Sequence, residues 1–302
     1  MKSKKKLICA IGWLLIPWCT LSQISEKITV TDQCESPNSF ISYVTIAGRH
    51  YVIKQKINQE KQIIAVMREA LASYIAKDLK IAQSVEIIDA TENIPGKKYA
   101  MYPATLHTLA PGKIVSALRG HKYYLLCLKQ RDPQGKKITG KWLTETIINQ
   151  ITWHKHIALI IALDLFICNT DRNRRNLFYD EATDSFCAID MENIYRRNVA
   201  KMACKKLREM INVNHKKFTL AEIEALKIVK NTLQFLSKKY PPKDIIAHMY
   251  TYADRAGYVN DGSLLNDKLT KKIERHKEMV VECYDSVQKL IKILTEITRL
   301  SL

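Results

Sequence analysis

The sequence predicts a bilobal α+β chain, with a small strand-rich part first and a larger helical part after it. Three observations carry this. β-favouring runs flank a Gly-containing turn between residues 28 and 57. From residue 111 onward, apolar residues recur mostly at three/four spacing. The 302 residues are 47% hydrophobic, enough to build a packed core and to exclude global disorder. No internal repeat or low-complexity tract is present, which excludes solenoids and propellers.

The first segment, residues 1–23, sets Lys2, Lys4, Lys5 and Lys6 ahead of an uncharged run over residues 7–21. That run is shorter than the roughly 20 residues a spanning helix needs. It has the shape of a secretory signal and predicts export. The alternative is a membrane-lying anchor over residues 4–23.

Residues 24–105 form the strand-rich part. Residues 39–46 and 51–56 flank Ala47-Gly48-Arg49-His50 and read as a hairpin. Residues 59–79 are helical, with Ile63, Met67, Ala70, Leu71, Tyr74 and Ile75 at helical spacing. Residues 85–89 and 98–102 are expected to be strands, separated by a turn at 93–96.

Residues 106–302 form the helical part. A long apolar helix is expected over residues 141–166, then a strand-and-turn island over 169–194, then amphipathic helices. His154 and His156, two positions apart on the long helix, are expected to point to different faces and not to share a metal. In the last helix Val280, Cys283, Val287, Leu290, Leu294 and Ile297 form a core-packing stripe. Pro241-Pro242 marks a break between helices. The eight cysteines are scattered without a CxxC pair, which fits buried small hydrophobes and not a zinc site or a disulfide scaffold.

The chemistry lies in the island. A helix leads into a polar loop with Asp171 and, five residues later, Asn176. A short apolar strand, a turn and a second strand follow, ending in Asp190. Phosphoryl transfer needs this set: one carboxylate to orient the attacking hydroxyl and accept its proton, and an amide and a second carboxylate to hold the metal that bridges the phosphates. Upstream, Lys54 falls on an expected strand and Glu69 on the following helix, the residue types of a phosphate-anchoring ion pair.

In residues 51–54, Arg68-Glu69-Ala70-Leu71-Ala72, Asn169-Thr170-Asp171-Arg172 through Asn176, and Ala188-Ile189-Asp190, the sequence resembles the protein-kinase-like superfamily. Within it, the likeness is to the atypical branch of phosphatidylinositol 3/4-kinases, HipA-type kinases and secreted bacterial effector kinases. The resemblance spans roughly residues 40–195 and implies a protein-kinase-like fold that uses ATP with Mg²⁺ or Mn²⁺. By position it implies that Lys54 meets the α/β-phosphates and Glu69 holds it. Asp171 is then the catalytic Asp, and Asn176 and Asp190 bind the metal. Met101, Tyr102 and Ala104 fall in the hinge that meets adenine, and Arg172 steadies either the loop or the transferred phosphate.

Several features depart from the commoner kinase pattern. No G-x-G-x-x-G precedes the hairpin, and residues 36–39 are the nearest phosphate cover. Asn169-Thr170-Asp171 stands in place of His-Arg-Asp. Met191 and Glu192 follow Asp190 in place of Phe-Gly, and no Ala-Pro-Glu follows, so a eukaryotic-style activation segment is not expected.

The chain is basic: 48 Lys and Arg against 30 Asp and Glu, a formal charge of +18, which predicts a polyanionic partner. Arg196, Arg197, Lys201, Lys205 and Arg208 follow the island, and the last four share one face if the segment is helical. Three readings stand: a site for a polyphosphate such as an inositol polyphosphate, a contact with acidic membrane, or a solvated face. Aromatic residues do not interleave with these cations, which argues against nucleic acid. The expected function is ATP- and metal-dependent phosphorylation of protein Ser/Thr by a secreted bacterial effector, regulated by a polyanion. The alternatives are an inositol-lipid kinase and an inactive polyanion-binding adaptor on the same fold. Transfer of AMP in place of phosphate stays open.

Overall fold

The computed structural model describes residues 29–36, 39–56, 59–88, 103–118, 154–173, 175–212, 217–258 and 264–299. The segment 1–23, the expected strand 98–102 with Met101 and Tyr102, and the first part of the helix expected from residue 141 lie outside them. The described chain is mixed α+β, with a strand-rich N-terminal sheet and a helical C-terminal part, as the sequence predicts.

The first sheet has the order β1-β2-β3-β5-β4. β1 (Thr29–Ser36), β2 (Ser39–Ile46) and β3 (Arg49–Lys56) form successive antiparallel pairs. Ala47 and Gly48 close the β2–β3 hairpin with φ of +50° and +72°. Two consecutive left-handed residues give the turn whose twist matches the strands it joins. β4 (Val85–Ile88) and β5 (Ala104–Thr108) complete the sheet, with β5 between β3 and β4. One face carries a small apolar cluster of Val44, Ile46, Ile53, Ile88, Ala104 and Leu106.

Helix α1 (Gln59–Ala76) packs against β3, β4 and β5. Residues 62–73 are all buried, around the full circumference of the helix. The reason is position: α1 also meets two helices of the C-terminal part, so its apolar residues join the main core and not the sheet's own cluster.

After Thr108 the chain crosses to a second antiparallel sheet of β6 (Lys113–Ile114), β7 (Leu177–Asp180) and β8 (Ser185–Ala188). Gly112 sits at this crossing with φ +81°, and a Cβ there would lie 2.1 Å from the Tyr179 carbonyl oxygen, so only glycine fits. Among the described residues the α-helices after Thr108 are α2 (Lys155–Phe166), α3 (Val199–Asn212), α4 (Leu220–Lys239), α5 (Pro242–Arg255) and α6 (Leu264–Arg299). α4 packs on α2 and α6, α3 packs on α6, and α5 packs on α1. The predicted stripe on α6 is buried throughout, and Pro241 and Pro242 separate α4 from α5. Among the described residues no helix is long and apolar enough to cross a membrane.

A described strand stands at Ala104–Thr108, where the sequence predicts none. Its residues alternate: Ala104 and Leu106 join the apolar cluster, and Thr105 and His107 face Glu69. Residue 105 lies in β5, and the chain passes to the second sheet over residues 109–112. One expectation is corrected. The described part of the long helix starts at Lys155, with His154 extended as its N-cap. Freed from helical geometry, His154 turns its ring to 5.2 Å from that of His156, and the two do not point apart.

Candidate active site

Lys54 is the centre of the site. On β3 it pairs with Ile41 of β2 and Thr105 of β5, in the interior of the sheet. Its ammonium lies 2.8 Å from Glu69 Oε1, 2.6 Å from Asp190 Oδ1 and 3.2 Å from Glu192 Oε2. Burial alone would lower its pKa. The carboxylates of Glu69, Asp190 and Glu192 outweigh burial and hold it well above the ordinary lysine value, so the cation persists at neutral pH.

Glu69 reaches Lys54 from α1. Burial pushes its carboxyl up, but the Lys54 ammonium and then His107 overcome this and hold it below the usual carboxylate range. Its second oxygen accepts from Thr105 Oγ1 at 2.9 Å and lies 3.2 Å from His107 Nε2. Thr105 and His107 are two apart on β5 and share one face, so the strand's own period brings both to the same carboxylate. The sheet thus supplies the partner of His107.

The loop after α2 is fixed by a buried ion pair. Arg172 is 1% exposed and Asp164 fully buried. Arg172 Nε and Nη2 donate to the two Asp164 oxygens at 2.9 and 3.0 Å, a bidentate pair. Arg172 Nη1 donates to the carbonyls of Asn176 and Ile189 at 2.7 and 2.8 Å. Of the two roles expected for Arg172, the structure assigns the first: its guanidinium is sealed inside the loop it steadies. Asp164 also accepts from Asn169 Nδ2 at 2.8 Å, and Asn169 Oδ1 accepts from the Asp171 backbone N–H at 3.0 Å.

Asp171 is thus held by its backbone. Its carbonyl accepts from Asn173 Nδ2 at 3.0 Å and Asn176 Nδ2 at 2.8 Å, and its carboxylate accepts from Asn193 Nδ2 at 3.3 Å. Asn176 and Asp190 are neighbours across the strands, since the Ile189 N–H donates to the Asn176 carbonyl at 3.1 Å. Asp190 holds φ +53°, a strained conformation for a residue with a Cβ. One oxygen from each of Glu69, Asp190 and Glu192 lies within 4.8 Å of the others, a donor set able to hold a cation.

The structure brings together Lys54, Glu69 and Asp190 directly, and Asp171 with Asn176 through the loop. Ala104 is buried in β5 among apolar side chains, and Met101 and Tyr102 lie outside the described residues. The crossing at 109–112 exposes Leu109 to 46%. The basic set divides. Lys201, Lys205 and Arg208 are exposed on α3 and Arg197 precedes it, whereas Arg196 turns back and donates to Asn193 Oδ1 at 2.5 Å. Sequence reasoning missed Asp164, Thr105 and Glu192. The signal for Asp164 was there: a lone acid in the apolar stretch Ile157–Ile167 requires a buried cation.

No family model matches the chain, and no curated protein matches it. Solved structures similar to it include a Helicobacter pylori proinflammatory kinase, CtkA, at 13% identity over 92% of this chain and 97% of that one, with a TM-score of 0.49. They also include the aminoglycoside phosphotransferase APH(4)-Ia, at 12% identity over 90% of this chain and 96% of that one, with a TM-score of 0.31. A thermostable mutant of that phosphotransferase, in ternary complex with AMP-PNP and hygromycin B, gives the same values.

Proposed function

We propose that this chain is an ATP-dependent phosphotransferase that acts on a hydroxyl acceptor. The observation that carries the reading is the convergence of Glu69, Asp190 and Glu192 on one Lys54 ammonium, with Asp171 tied through Asn193 to the same segment.

The donor set fits Mg²⁺ or Mn²⁺. Three carboxylates share one ammonium, so the cluster carries an excess of negative charge in hard oxygen donors. Glu69 is committed to Lys54, Thr105 and His107. Asp190 and Glu192 are the more exposed carboxylates and would hold the ion. Asn176 would add its Oδ1, since its amide nitrogen already serves Asp171. A bound divalent ion supplies charge neutralisation at the phosphate oxygens.

The chain's own groups do the rest. The Lys54 ammonium binds phosphate oxygens, and Glu69 keeps it in position. The Asp171 carboxylate orients the acceptor hydroxyl and takes its proton. The acceptor oxygen bonds to the γ-phosphorus as the bond to the leaving ADP breaks. The first acceptor proposed is a protein Ser/Thr. The exposed cations Lys201, Lys205 and Arg208 favour an inositol lipid as the second.

The test uses the full chain with ATP labelled at the γ- or the α-phosphate, Mg²⁺ or Mn²⁺, and either a generic basic protein or phosphoinositide vesicles. The expected result is γ-label on the protein acceptor, lost in Asp190→Ala. γ-Label on lipid alone selects the second acceptor. α-Label on the acceptor means AMP transfer and overturns the reading, as does retained ATP binding with no transfer to any acceptor.

A further inference from the structure

Behind the Lys54 cluster lies a cavity of about 510 Å³, between α1, the segment after Asp190, and α6. Its ionisable lining is Lys61, Arg68, Arg196, Lys272, Arg275 and His276 against one acid, Glu192. Glu192 already lies against Lys54 at 3.2 Å, so its charge is shared with the neighbouring site.

Arg68 forms the floor. It is 7% exposed; the Glu192 charge acts on it favourably and the Arg196 charge against it. Its Nε donates to His276 Nε2 at 2.8 Å, its Nη2 meets the same nitrogen, and its Nη1 donates to the Glu192 carbonyl at 3.3 Å. Each Nη atom carries a second N–H beyond these contacts. A buried cation whose one nearby acid is shared with Lys54 is costly and calls for an explanation. Lys61, Arg196, Lys272 and Arg275 stand exposed at the rim. The cavity is much larger than one phosphate group, and its cations come from three separate elements.

We propose that this cavity is a binding site for a compact polyphosphate, either a free one or the phosphorylated headgroup of a lipid, and that its occupancy steadies the catalytic groups. The coupling half rests on the phosphotransferase reading; the binding half does not. Two contacts link the cavity to those groups. Arg196 Nη1 donates to Asn193 Oδ1 at 2.5 Å, and Asn193 Nδ2 donates to Asp171 Oδ2 at 3.3 Å. Arg68 precedes Glu69 on α1 and holds the Glu192 carbonyl. A polyanion that draws Arg68 and Arg196 together neutralises a like-charge cluster and ties α1 to the 190–196 segment.

The test begins with binding to the full chain without nucleotide. The soluble probes are tripolyphosphate and inositol hexakisphosphate. The membrane probes are vesicles with phosphatidylinositol 4,5-bisphosphate and, at matched charge, phosphatidylserine. Binding of a soluble probe, or of the phosphoinositide vesicles above the phosphatidylserine ones, is expected, and which arm binds identifies the source. The rim variant Lys272→Ala/Arg275→Ala, exposed and remote from the fold's core, is expected to weaken binding at least tenfold. The α3 variant Lys201→Ala/Lys205→Ala/Arg208→Ala is expected to leave it unchanged. Amide exchange over residues 190–198 is expected to slow when the probe binds. The site is overturned by no binding in either arm, by equal vesicle binding with no soluble probe bound, by a rim variant that binds as wild type, or by a loss as large in the α3 variant. Unchanged amide exchange on binding overturns the coupling. Binding with slowed exchange but no phosphate transfer leaves the site standing and sinks the phosphotransferase reading alone.

Discussion

Lys54 binds three carboxylates with one ammonium, and that imbalance organises the local electrostatics. Removing it strands Glu69, which is 2% exposed. Lys54→Met is therefore expected to lower unfolding stability by about 3 kcal/mol, because one member of a buried pair loses its partner. Urea denaturation reads this directly, and an unchanged midpoint would contradict it. Asp171→Asn is expected to reduce phosphate transfer by about 10²–10⁴-fold, the range of general base catalysis, with the fold intact. His276 gives a pH signature. Burial first, then the Arg68 cation, lowers its pKa from 6.5 to about 4. The unfolded chain thus binds a proton between those values that the folded chain refuses, so stability falls as pH drops from 6.5 toward 4. Glu69, also depressed, adds a loss only at more acid pH, below the ordinary carboxylate value. Denaturation midpoints at pH 7 and pH 5 test the first window, and His276→Gln is expected to flatten the slope between them.

At the scale of elements, the loop after α2 depends on the Asp164–Arg172 pair. Arg172→Met is expected to cost about 3–5 kcal/mol by leaving Asp164 buried and unpaired. Asp164→Leu/Arg172→Met together are expected to recover part of that loss, which a double-mutant cycle in urea measures. The glycines give a matched comparison. Gly48→Ala meets no atom within 4 Å but keeps φ +72°, for about 1 kcal/mol. Gly112→Ala adds a backbone overlap with Tyr179 and is expected to cost about 3 kcal/mol. Equal losses in thermal unfolding would remove the role given to the crossing. These elements also show what a sequence displays. The β2–β3 hairpin and the α6 stripe were legible because each buries one face and exposes the other. β5 was not, although it alternates, because it is only five residues long and its buried polar residues meet Glu69 only in the fold. α1 was legible as a helix, but its all-round burial depends on partners far along the chain.

At the scale of the whole molecule, α1 links the two parts. It carries Glu69 to the first sheet, packs on α5 and α6, and lines the cationic cavity with Lys61 and Arg68. Asp171, Asn176 and Asp190 stand out in the sequence because they share one short island with fixed spacing, whereas Asp164 and Glu192 do not. Nor does the cavity, because Arg68 and His276 are 208 residues apart and meet only through the packing of α1 on α6. The proposed function requires that the Lys54 cluster receive the phosphates of a metal-bound nucleotide while Asp171 serves the acceptor. Calorimetric ATP binding with and without Mg²⁺, in wild type, Asp171→Asn and Asp190→Ala, separates the two roles. Mg²⁺ is expected to strengthen binding in wild type and in Asp171→Asn, and Asp190→Ala to lose this gain. An Asp190→Ala chain that binds ATP with Mg²⁺ as tightly as wild type would contradict it.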